Sequence, residues 1–125
     1  MKSIVIDKSK WRCGGSVKDK HARGKGSVRL LNNEGFMCCL GQMCQQIAPE
    51  LPIIGLLSPS ETNQVVEGLA YPNSYGEIMN TGFSCSAMFI NDCCEHDDEK
   101  REKHLREVGL EHGFDITFVG EFADA

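Results

Sequence analysis

Residues 36–48 read Phe-Met-Cys-Cys-Leu-Gly-Gln-Met-Cys-Gln-Gln-Ile-Ala and contain no charged side chain. One apolar face recurs at spacings of four, four and three, as in a helix: Phe36, Leu40, Cys44 and Ile47. Cysteine and methionine cover much of the remaining surface, and a helix that is apolar nearly all round is normally buried. Pro49 follows and ends the segment, because proline lacks a backbone N–H. The sequence therefore predicts a buried helix.

Three further segments have clear patterns. Ser3–Asp7 is a β-branched run, and Phe114–Phe122 alternates apolar with polar residues, so both predict strands. Asp97–His112 predicts an amphipathic helix whose acidic first turn complements the helix dipole. We expect the two terminal strands to be neighbours in one sheet.

Other segments are less distinctive. Val28–Leu31 is a strand candidate, and residues 60–66 fit a short helix capped by Ser58 or Ser60. Residues 83–91 fit a strand or a buried helix, since periodicity does not separate these at that length.

These elements predict an α+β fold without regular βαβ alternation. The expected architecture is a small, mostly antiparallel sheet packed against one buried helix and one amphipathic C-terminal helix. At 125 residues, the chain is expected to form a single domain over residues 1–125. A buried apolar helix in a chain of this size is compatible with a homodimer interface as well as with a monomeric core.

Charge is strongly segregated along the chain. Residues 1–30 carry nine of the 13 basic side chains and two acidic ones, whereas residues 31–99 contain no lysine or arginine. This pattern predicts a basic edge and an acidic face. An isoelectric point near 5.3 argues against general DNA coating. Without a long apolar run or a signal peptide, a cytoplasmic protein with no membrane partner is expected.

The basic segment predicts an anion site. Glycines interleave with basic residues at about 12–27, which indicates a flexible loop able to present N–H groups and cations to a phosphate. The candidate ligand-binding residues are Trp11, Arg12, Arg23, Lys25 and Arg29. The spacing is not that of a P-loop or a dinucleotide-binding fingerprint. The same loop could equally be a solvated surface, or pair with the acidic part of its own chain.

An acidic corner precedes the C-terminal helix and predicts a partner-binding surface. Its candidate residues are Asn91, Asp92, Glu95, Asp97, Asp98 and Arg101. The alternative is local, because acidic side chains also stabilise a helix N-terminus and Asp92 could cap a turn.

The seven cysteines form an odd set with two adjacent pairs, which argues against a disulfide framework. Most are expected to pack in the core as small apolar side chains. Weak metal-ligand candidates are Cys93, Cys94 and His96. No cofactor is predicted, and no catalytic motif selects one Cys–His pair, so the sequence favours a non-enzymatic protein.

A resemblance covers most of the chain. It is carried by Lys10-Trp11-Arg12 with Gly14-Gly15, by Leu30-Leu31-Asn32, by Met37-Cys38-Cys39-Leu40-Gly41, and by Ile90-Asn91-Asp92. With these motifs the chain resembles a group of short, uncharacterised proteins from tailed-phage and prophage genomes. The resemblance implies origin and assigns no role to any residue.

The leading hypothesis is a small phage-type accessory protein that binds and inhibits or sequesters a host component in the host cytoplasm, with antiviral defence as a candidate target. The first alternative is a binder or processing enzyme for nucleotides or other small anions. The second is a zinc-stabilised scaffold.

Overall fold

The computed structural model describes residues 1–93 and 97–123 of the chain. Within them lie β1 (Lys2–Asp7), α1 (Cys39–Ile47), β2 (Ala70–Pro72), β3 (Ile78–Asn80), α2 (Gly82–Asp92), α3 (Asp98–Glu111) and β4 (Phe114–Val119). Short 3-10 turns occupy Lys8–Lys10 and Pro59–Thr62. The architecture is α+β, as predicted.

The two chain ends meet in one sheet. β1 and β4 pair in register from Lys2 with Phe114 to Asp7 with Val119, which confirms that the terminal strands are neighbours. Their pairing is parallel, whereas β2 and β3 form a separate antiparallel pair. The mostly antiparallel sheet is therefore not confirmed. A parallel pair needs a long crossover, and here the chain between β1 and β4 supplies it.

Two glutamines of α1 close the other edge of β1. Gln42 accepts from the Asp7 N–H at 2.8 Å and donates to the Asp7 carbonyl at 2.9 Å. Gln46, one helical turn later, accepts from the Val5 N–H at 2.9 Å and donates to the Val5 carbonyl at 2.7 Å. The two side chains thus replace the hydrogen bonds of a neighbouring strand, and an unpaired strand edge is avoided.

The predicted buried helix is confirmed as α1, but it begins at Cys39 rather than at Phe36. The preceding residues are extended because their backbone groups bind elsewhere. Met37 donates its N–H to the Lys10 carbonyl at 2.9 Å and accepts from the Arg12 N–H at 2.7 Å. α1 is buried by the chain's own residues, with Leu40 and Cys44 fully enclosed.

Residues 83–91 belong to a helix, α2, with the Thr81 hydroxyl as its N-cap. The C-terminal helix is confirmed as α3, where the Asp97 side chain caps the N-terminus by accepting from the Lys100 N–H at 2.8 Å. Ser58 caps the 3-10 turn that occupies part of the predicted 60–66 helix, and Glu61 completes a capping box.

Val28–Leu31 is not a strand. The Leu30 N–H binds the Leu56 carbonyl at 2.8 Å, whereas the Leu31 carbonyl accepts from Gly55 at 2.8 Å. The Arg29 carbonyl instead accepts from the Cys38 N–H at 2.9 Å. The segment forms one isolated parallel bridge, between Leu31 and Ile54, and the pairing does not continue into a ladder.

The core lies between α1, α2, α3 and the β1–β4 sheet. Its largest enclosed apolar side chains are Trp11, Phe83, Ile4, Ile6, Leu30, Leu40, Met43, Leu69, Leu105 and Val66. No helix in the described ranges is long and apolar enough to cross a membrane.

Candidate functional site

Arg12, a candidate ligand-binding residue, lies inside the fold. Its side chain is fully buried, and its guanidinium donates to backbone carbonyls of the surrounding loop. The distances are 2.7 Å to Gly26, 2.6 Å to Cys13 and 3.0 Å to Gly15. Arg12 is thus enclosed rather than exposed as expected, and its guanidinium joins three carbonyls of the loop at 12–27.

Trp11 is also enclosed, so it has no face on which a base could stack. Its indole N–H donates to the side-chain oxygen of Asn91 at 2.7 Å. Its ring lies 5.2 Å from that of Phe118 and 5.5 Å from that of Phe122. A tryptophan beside an arginine resembled an exposed recognition pair, but both side chains point inward.

The basic loop and the acidic corner partly neutralise each other. The Arg23 Nε lies 3.3 Å from a carboxylate oxygen of Asp98, whose other oxygen lies 3.3 Å from the Arg101 Nη1. Arg101 is fully buried and also donates to the Cys93 carbonyl at 2.7 Å. Arg101 is therefore not an accessible partner-binding residue, and the pairing of Arg23 explains part of the charge segregation within the fold.

Asn91, a candidate partner-binding residue, is buried and forms a junction between three segments. Its side-chain oxygen accepts from the Trp11 indole at 2.7 Å and from the Cys39 N–H at 3.0 Å. Its amide donates to the Arg12 carbonyl at 3.2 Å and to the Asp92 carboxylate at 2.9 Å. The hydrogen bonds fix the end of α2 against the start of α1.

Beside this junction lies a cavity of about 220 Å³, which we call the Asp92 cleft. Its lining consists of Val28, Cys38, Cys39, Leu40, Leu57, Met88, Asn91 and Asp92. The walls are mainly apolar, and a side-chain amide and a carboxylate provide the polar groups. A concave apolar surface with a few polar groups is the usual form of a binding site.

Asp92 gives the cleft its charge. Partial burial of the carboxyl group raises the pKa of Asp92, while the Asn91 hydrogen bond and the Arg12 charge act in the opposite direction. The residue as a whole remains exposed, so a partner can reach it. The charges of two nearby arginines, Arg12 and Arg101, also act on this carboxylate, while both guanidinium groups donate to backbone carbonyls.

The two thiols of the cleft are poor nucleophiles. Cys38 occupies the N-cap position of α1, where the helix dipole would favour a thiolate. Burial nevertheless raises the pKa of Cys38 to about 12 and that of Cys39 well above its usual value. Both groups are protonated near neutral pH and act as parts of the wall.

Exposed apolar side chains lie at and beside the cleft. Leu57 in the wall is 54% exposed, and Phe89, adjacent to Met88, is 72% exposed. Phe89 lies three residues before Asp92 in α2, so the two side chains share one side of the helix. Sequence reasoning identified Asp92 but missed its apolar neighbours Leu57, Met88 and Phe89. The three-residue spacing of Phe89 from Asp92 was the available signal.

The remaining candidate site residues differ in exposure and in their contacts. Asp97 caps α3 and Asp98 forms ion pairs, which supports their local structural interpretation. Lys25 is exposed, and Arg29 lines a second cavity. Cys93 is half-buried, and the candidates Cys94, Glu95 and His96 lie outside the described residues. In residues 1–93 and 97–123 no cluster of three metal-binding side chains is present.

Comparison with family models, with curated proteins and with solved structures finds no match to this chain.

Proposed function

We propose that this chain is a non-enzymatic binding protein whose Asp92 cleft receives a basic side chain of a protein partner. The observation that carries the proposal is an apolar cleft with an accessible carboxylate, flanked by exposed apolar side chains and with no lysine or arginine among the described residues that line it. Such a surface combines apolar contact with a charge preference for the partner.

The chemistry of the cleft suits lysine or arginine. The aliphatic stem of either side chain can pack against Leu57 and Met88, while its cation meets the Asp92 carboxylate. Pairing with a cation compensates for the desolvation that raises the pKa of Asp92. A side chain that fills a pocket and is shielded from water is typical of the residues that dominate binding energy.

Two observations favour binding over catalysis. The thiols in the cleft have raised pKa values, and no histidine lines it among the described residues. Nucleophilic catalysis by cysteine needs a thiolate or an adjacent base. The resemblance to phage and prophage proteins makes a host protein the first partner class to test, and occlusion of that protein's basic surface is the proposed mechanism.

The proposal predicts that Asp92→Asn and Phe89→Ala weaken partner binding. Partners captured from bacterial host lysate by the tagged wild-type protein are purified, and their Kd values are measured against each variant. Each substitution is expected to raise Kd at least about tenfold, because it removes the charge or an apolar contact near the cleft.

Matched controls are available on other elements. Asp115→Asn removes an exposed carboxylate from β4, and Leu110→Ala removes a side chain that is 53% exposed on α3. Both are expected to leave Kd within about twofold of wild type. The proposed interface would be refuted if the control variants lost as much affinity as the cleft variants, or if both cleft variants kept the wild-type Kd.

A further inference from the structure

Arg29 differs from the other arginines of the N-terminal segment. Arg12 and Arg23 direct their donors at carbonyl and carboxylate groups of the same fold. Arg29 is half-buried, and its guanidinium makes no hydrogen bond or ion pair with any described residue. Its backbone is nevertheless fixed, because its carbonyl accepts from the Cys38 N–H at 2.9 Å. The backbone at Arg29 is therefore held in place, while the described residues leave its guanidinium donors unused.

The Arg29 side chain lines a cavity of about 220 Å³, separate from the Asp92 cleft. The lining residues are Ser27, Arg29, Asn32, Asn33 and Gly55. The surface is mainly polar, and no carboxylate lines it among the described residues. Gly55 has open space where a side chain would project, which leaves the cavity accessible on that side.

Asn32 holds the wall of this cavity in place. Its amide donates to the Lys25 carbonyl at 2.6 Å and to the Ser27 carbonyl at 2.8 Å, and its oxygen accepts from two N–H groups of the following turn. The side chains of Ser27 and Asn33 make no hydrogen bond within the described chain. Three donor groups, from Ser27, Arg29 and Asn33, thus border one polar cavity.

We infer that this cavity binds a phosphate group, either free or as the monoester of a small molecule. The planar arginine fork matches two oxygens of a phosphate, and a hydroxyl and an amide can donate to the others. The absence of a lining carboxylate removes the main source of repulsion. This inference concerns a different cavity from the proposed partner interface and does not depend on it.

The inference is tested by titrating the protein with inorganic phosphate and, separately, with adenosine monophosphate. NMR chemical-shift changes monitor the binding. Saturable binding is expected, with shifts at residues 27–33 and at Gly55. Arg29→Gln is expected to weaken it at least about tenfold, because the bidentate cation is lost. Since the side chain has no partner among the described residues, the variant should keep the wild-type melting temperature.

Lys25→Gln is the matched control, because Lys25 is exposed, lies four residues before Arg29 and is absent from the lining. It is expected to change affinity by less than about twofold. Tighter binding of adenosine monophosphate would identify a monoester as the ligand, and equal binding would identify free phosphate. Failure to reach saturation below about 10 mM phosphate would overturn the inference. An equal loss of affinity in Arg29→Gln and Lys25→Gln would also overturn it, because that result indicates a diffuse electrostatic field rather than a site.

Discussion

Replacing Gly41 with alanine is expected to destabilise the fold by more than about 3 kcal/mol, at or beyond the upper end of overpacking costs. A Cβ at this position would overlap the Leu30 carbonyl oxygen and lie 2.6 Å from the carbonyl carbon. Both atoms belong to the backbone of a buried residue whose N–H is bound to Leu56, so neither can move by a rotamer change. Chemical denaturation monitored by circular dichroism measures the loss.

Gly82→Ala provides the control for this substitution. Gly82 is the first residue of α2, and a Cβ there meets no atom within 4 Å. Because alanine has the higher helix propensity, the control should be neutral or up to about 1 kcal/mol more stable. Equal stability of the Gly41 and Gly82 variants would contradict the close approach of α1 to Leu30.

Asn91→Ala is expected to cost about 3–5 kcal/mol. The substitution leaves the Trp11 indole N–H and the Cys39 backbone N–H without the acceptor that binds them at 2.7 and 3.0 Å. Each buried donor left unpaired costs about 1–3 kcal/mol, and the bond to the Arg12 carbonyl is lost as well. Urea denaturation gives the free energy, and the fluorescence of Trp11, the single tryptophan, reports locally on the junction.

Asn33→Ala is the corresponding control, because Asn33 is exposed and its side chain makes no hydrogen bond within the described chain. A change within about 0.5 kcal/mol is expected there. If Asn91→Ala unfolds at the same urea concentration as Asn33→Ala, the buried junction does not support the fold as described.

The elements that sequence reasoning predicted are those with a local signal. The apolar circumference of α1, the acidic start of α3 and the alternation in β4 each lie within one segment. The parallel pairing of β1 with β4 has no such signal, because strand direction depends on how the whole intervening chain returns. The Gln42 and Gln46 contacts with β1 were missed for the same reason.

The candidate site was harder to predict because the same residue types serve binding and folding. Arg12 and Arg101 were read as surface cations, yet they donate to carbonyls that become neighbours only after folding. A buried arginine with backbone partners has no distinctive spacing in sequence. Asp92 was identified from its acidic context, whereas Leu57, from a distant part of the chain, approaches it only in the folded protein.

The charge segregation now has two components. The Arg23–Asp98 ion pair joins the basic loop to α3 and is part of the fold. Arg29 and Asp92 border two separate cavities, which we propose bind an anion and a cation, respectively. One part of the uneven charge distribution is thus paired within the fold, and our two proposals assign the charges of Arg29 and Asp92 to binding.

Hydrogen–deuterium exchange of the protein alone and bound to a purified partner tests the proposed interface most directly. Our proposal predicts slower exchange on binding at residues 54–58 and 85–92, which contribute Leu57, Met88, Phe89 and Asp92 to the cleft and its rim. Protection confined to residues 16–27 or 98–111, with 85–92 unchanged, would contradict it.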